Sequence, residues 1–145
     1  MSPERPVRAQ TARPAETEEL GRRLAATLRP GDLVLLFGEM GAGKTSFVRG
    51  ACRALGVSGP VTSPTFVVGR RYQGRELGVS LLDLHRLGPR EDEDPGLLAD
   101  YLRPDRVAFV EWPEAAEDEL PTGGRRVSVR LAHLGGDRRA VEIEG

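Results

Sequence analysis

Cysteine is nearly missing from this sequence: Cys52 stands alone in 145 residues. A single thiol closes no internal disulfide, so a reducing, cytoplasmic setting is the expectation. Two histidines add too few ligands for a structural zinc site to be expected. Charge of one sign is also lacking, with 21 basic residues against 22 acidic and a formal charge of −1. A chain so balanced does not hold nucleic acid by bulk electrostatics alone. No apolar run approaches the ~20 residues of a membrane span, and the N-terminal MSPERPVRAQ lacks the apolar stretch of a secretory signal. The scarcest basic residue is lysine. Of the 21 Lys and Arg residues, only Lys44 is a lysine.

What remains is enough for one domain. Apolar residues make up 39% of the chain, which supports a single core. Residues 1–14, rich in Pro and Arg, read as a mobile tail, and 15–145 as one domain. Thr17 reads as a helix N-cap with Glu18 and Glu19 in the first turn, and Leu20, Leu24 and Leu28 recur at helical spacing until Pro30-Gly31. Leu33 to Phe37 is an unbroken apolar run bounded by glycine, the pattern of a strand buried on both faces. A helix over 44–55 follows, with Phe47, Val48, Ala51 and Leu55 on one face and Gly56 as its stop.

Further on, Phe66–Tyr72 and a segment ending Val79–Asp83 read as strands. A short helix is expected around Leu97–Leu102, a buried strand over Val107–Glu111 and a helical segment over Ala115–Leu120. Alternation through Val127, Val129, Leu131, Val141 and Ile143 around Gly135-Gly136 predicts a hairpin. Together the pieces predict an α/β fold with a mixed, partly parallel sheet flanked by helices and an antiparallel hairpin at the C-terminal end.

Residues 38–45, GEMGAGKT, complete a G-x-x-x-x-G-K-[ST] pattern between the first buried strand and its helix. Glycines let successive N–H groups curl around a phosphate chain, and the helix N-terminus adds a positive dipole end. Lys44 supplies a compact charge for the β- and γ-phosphates, and the Thr45 hydroxyl a ligand for Mg2+. The planar fork of arginine fits such a loop poorly, which accounts for the lone lysine. With that lysine in the loop, no Asn-Lys-x-Asp segment for reading guanine exists, so ATP is favoured over GTP. Carboxylates at strand ends should complete the site. Asp83 after VSLL and Glu111 after VAFV are the candidates, and residue chemistry alone does not divide metal ligation and water orientation between them. Cys52 reads as packing, and His85 and His133 as surface or strand residues.

The ordered set GEMGAGKTSFVRG, TSPTF (62–66), LLDLHRL (81–87) and FVEWPE (109–114) resembles the TsaE family, small bacterial P-loop ATPases of tRNA threonylcarbamoyladenosine synthesis. The resemblance implies a P-loop NTPase-type fold. It also implies an ATP-binding loop of Glu39, Met40, Gly41, Ala42, Gly43, Lys44, Thr45 and Ser46, joined by Thr65 and Trp112. Metal would be held by Thr45, Asp83 and Glu111, with Lys44, Asp83 and Glu111 catalytic. Ser63 and Thr65 match the family's switch-like loop. Leu81 and His85 stand where the family pattern has histidine and tyrosine, while Asp83 and Arg86 keep their places. The resemblance further implies work beside TsaB and TsaD, with tRNA met only through that complex. Two other readings are a P-loop small-molecule kinase and a nucleotide-binding scaffold that does not hydrolyse.

Overall fold

The computed structural model describes residues 6–39, 41–62, 69–84, 98–114, 120–121 and 123–145. Seven strands and two helices follow in the order β1 (Val7–Thr11), α1 (Pro14–Ala25), β2 (Leu33–Phe37), α2 (Lys44–Ala54), β3 (Gly69–Gln73), β4 (Gly78–Asp83), β5 (Arg106–Glu111), β6 (Arg126–Gly135) and β7 (Arg138–Glu144). They make one sheet in the order β1-β7-β6-β2-β5-β4-β3. The centre is parallel, with β2 between β5 and β6 and β4 beside β5. The margins are antiparallel: β1 on β7, β7 on β6 and β3 on β4.

The apolar run of β2 reads as it does because β2 is central. Val34 and Leu36 face the two helices with Phe47, Val48 and Ala51, while Leu33 and Leu35 pack on the other face with Leu82, Val110 and Leu120. The helices share the first face and cross at very short range. A Cβ on Gly21 would overlap the Phe47 carbonyl oxygen, and one on Gly50 would overlap that of Glu18. These two glycines therefore set the seat of α2, and with it the glycine loop that precedes it.

Three expectations are corrected. Residues 7–11 are not tail: they form β1, whose alternation puts Thr11 inward to share a 2.7 Å hydrogen bond with Thr17 Oγ1. Consequently Thr17 is not the N-cap. Arg13 is, with Pro14 entering the first turn, where a missing N–H costs nothing. The segment Leu98–Leu102 forms hydrogen-bonded turns, with Leu102 N–H donating to Leu98 and Ala99, in place of a short helix. The expected helical segment at 115–119, Phe66 and His85 lie outside the described residues. The hairpin around Gly135-Gly136 is as read, and Gly56 ends α2 at φ +90°. No helix among the described residues is long and apolar enough to cross a membrane.

Cys52 is fully buried among the core residues under α2, and burial pushes its thiol up to about 12. Two outcomes follow. Gly50→Ala should lower the thermal unfolding midpoint by roughly 5 °C or more, because backbone cannot yield as a side chain can. At pH 8 a thiol reagent should leave Cys52 untouched in the native protein and react once it unfolds; rapid labelling of the folded chain would contradict this burial.

Candidate nucleotide site

Parallel neighbours bring the carboxyl ends of β2, β4 and β5 to one edge of the sheet. Gly38 and Glu39 leave β2 at that edge and Gly41, Ala42 and Gly43 lead into α2, with Ala42 N–H donating to Glu39 O at 3.1 Å. Gly41 at φ +80° and Gly43 at φ +99° hold backbone that side chains rarely adopt, and Gly41 has open space where a Cβ would be. Gly43 is itself the N-cap of α2, and no side chain caps the helix. The first N–H groups of α2 therefore face the loop as donors with a positive helix end behind them.

Lys44 is buried, only 7% exposed. Its Nζ donates to Gly38 O at 2.7 Å, lies 3.7 Å from Glu111 Oε1, and sits 4.7 Å from the centre of the Trp112 ring. A buried ammonium needs acceptors, and these three supply them from the start of the loop and the end of β5. Register pairs Asp83 with Glu111 across β4 and β5, on the helical face of the sheet. Glu111 is buried and its carboxyl is raised above the ordinary range. Desolvation is the main cause, nearby Lys44 opposes it, and the Asp83 charge adds to it. Trp112 completes the corner at φ +57°, a left-handed conformation costly for an aromatic residue. That strain turns the indole under the Lys44 ammonium.

Of the residues expected at the site, the structure brings together Lys44, Glu111 and Trp112, with Asp83 beside Glu111. Gly41, Ala42 and Gly43 form the loop, and Thr45 and Ser46 the half-buried first turn of α2. Glu39 is exposed, so it enters the loop through its backbone. Met40, Ser63, Thr65 and Arg86 lie outside the described residues. Sequence reading missed Gly38 as the oxygen that receives Lys44, which no residue type could have signalled because the acceptor is backbone. It also missed Arg139 of β7, which lies against Gly43, its Cγ 3.4 Å from where a Cβ would stand.

No cluster of three or more His, Cys, Asp or Glu residues suited to a metal occurs among the described residues. The donors present are hard oxygens: the Thr45 hydroxyl and the Asp83 and Glu111 carboxylates. That set fits Mg2+ shared with a phosphate chain better than a metal caged by protein alone.

A model of the family described as "Threonylcarbamoyl adenosine biosynthesis protein TsaE" matches residues 11–141. The chain belongs to the TsaE family. Among TsaE relatives, the tRNA threonylcarbamoyladenosine biosynthesis protein TsaE of Streptomyces coelicolor is 46% identical over 121 residues, covering 82% of this chain and 80% of its own length. The Bacillus subtilis protein of the same name is 35% identical over 132 residues, covering 91% and 81%. In three dimensions the chain is similar to the crystal structure of Bacillus subtilis YdiB, with a TM-score of 0.74 and 28% identity over 96% of this chain and 84% of that one. The P-loop fold expected from the sequence is thus the fold of this TsaE protein.

Because Trp112 is the only tryptophan and lies under Lys44, its emission reports where the ammonium is. Titration with MgADP should change that emission as Lys44 turns to phosphate, and Lys44→Met should shift the starting spectrum and abolish the response. An unchanged response in Lys44→Met would mean that the lysine and the indole are not coupled.

Proposed function

We propose that this protein binds and hydrolyses Mg·ATP as the ATPase subunit of tRNA threonylcarbamoyladenosine synthesis, acting with TsaB and TsaD homologues in the cytoplasm. The observation that carries the reading is the buried Lys44, held by Gly38 O and facing Glu111 at the mouth of a glycine loop. A lysine held out of water at a helix N-terminus is arranged for a polyanion.

In this reading the loop amides and the Lys44 ammonium hold the β- and γ-phosphates and offset charge that develops as the terminal phosphoryl leaves. The Thr45 hydroxyl and the Asp83 carboxylate hold Mg2+, directly or through water. Held there, the metal would supply positive charge that offsets the charge on the phosphates. Glu111, with its proton affinity raised by burial, orients the attacking water or contributes to the metal's shell. The indole of Trp112 closes one side of the Lys44 ammonium and excludes solvent from it. Two carboxylates at adjacent strand ends favour hydrolysis over simple retention of nucleotide, which requires no second acid. Turnover is slow in isolation, and the partner proteins complete the site. The near-neutral charge suits a subunit that meets tRNA only through the complex.

Steady-state hydrolysis tests this. Lys44→Ala should lower kcat/KM by about 100-fold or more. Asp83→Asn and Glu111→Gln should each lower kcat by a similar factor while nucleotide still binds. Association with TsaB and TsaD homologues should depend on ATP; Lys44→Ala turnover equal to wild type would refute the assignment.

A further inference from the structure

The carboxylates of the site all stand to one side of the loop, on β4 and β5, and Lys44 leans toward them. The opposite side is built by the hairpin of β6 and β7, since β6 is the other neighbour of β2. There the loop is pressed against the hairpin: a Cβ on Gly38 would lie 2.6 Å from Leu131 O, and one on Gly43 3.6 Å from Arg139 Nε. Arg139 folds back over its own turn, Nη1 donating to Gly136 O at 2.7 Å and to Arg138 O at 2.9 Å. Its Nε is buried with no acceptor, and no carboxylate pairs with it among the described residues. A charged donor covered without an acceptor is costly, so an acceptor that drew it out would be bound favourably.

Charge points to what that acceptor is. Lys44 is already faced by Glu111, with Asp83 next to it, so on that side two carboxyl groups share one lysine. A polyphosphate with one divalent cation still carries net negative charge. Among the described residues, Arg139 is a cation beside the loop whose Nε has no acceptor and which no carboxylate faces. Building on the nucleotide reading above, we propose that Arg139 is a nucleotide-binding residue. Its guanidinium contacts the phosphate chain from the hairpin side, at the end away from Asp83 and Glu111. A contact there is made equally by ADP and ATP, so it governs affinity and not the rate of the chemical step.

Calorimetric titration of the full chain with MgADP, with a nonhydrolysable Mg·ATP analogue and with magnesium tripolyphosphate tests this. Arg139→Gln should weaken all three by roughly 10- to 100-fold, with kcat for ATP changed less than threefold. Arg139→Lys, which keeps the charge but not the fork, should recover part of the loss. Arg138→Gln, an exposed neighbour on the same strand, should bind as wild type does. The nucleotide-free unfolding midpoint of Arg139→Gln should match wild type; a drop that accounts for the weaker binding would make Arg139 merely structural and overturn the inference. Wild-type affinity in Arg139→Gln would also overturn it, as would a loss confined to nucleotides and absent for tripolyphosphate. Failure of the wild-type protein to bind any of the three would instead remove the nucleotide reading itself.

Discussion

A charged ammonium taken out of water is the constraint around which this molecule is arranged. Lys44 opens α2, where the helix already offers a positive end, and it is screened from solvent by loop, strand and indole. Such a group is tolerable only with acceptors at hand. The chain provides them from three places: Gly38 at the close of β2, Glu111 at the close of β5, and the face of Trp112 just beyond. Central parallel strands deliver the first two to one edge, and a left-handed backbone at Trp112 delivers the third.

The cost of that arrangement is visible in Glu111. Burial and the neighbouring Asp83 charge make its carboxyl reluctant to ionise, and Lys44 only partly compensates. Two acids facing one base suit the divalent cation and phosphate chain of the proposed reaction. On the far side of the loop the chemistry is reversed. Arg139 lies against Gly43 with a covered, unmatched donor, so the two walls of the loop differ in sign as well as in origin. Close crossing of α1 and α2 at Gly21 and Gly50 fixes the helix on which both walls depend.

Much of this was legible in the residues, for a physical reason. A strand buried on both faces has a continuous apolar run, so β2 could be read from Leu33 to Phe37, and the glycine pattern after it could be read as a phosphate loop. Asp83 and Glu111 were legible as acids ending apolar strands, though their register pairing required the sheet. β1 escaped because an edge strand of five residues with Arg8 and Gln10 outward and Val7 exposed carries little apolar signal; only Ala9 and Thr11 turn inward. Thr17 looked like a cap because threonine favours that position, but a hydrogen bond to Thr11 decided its place. Arg139 was one arginine among 20, and nothing local marks the one that tertiary contact sets beside Gly43.

The central claim is that the bend between β2 and α2 wraps its amides around a polyphosphate. A crystal structure with magnesium and a nonhydrolysable ATP analogue tests it most directly. The account predicts phosphate oxygens on the amides of residues 41–46, with Lys44 Nζ moved from Gly38 O onto the phosphates. An analogue bound elsewhere, with Lys44 still on Gly38 O, would contradict it.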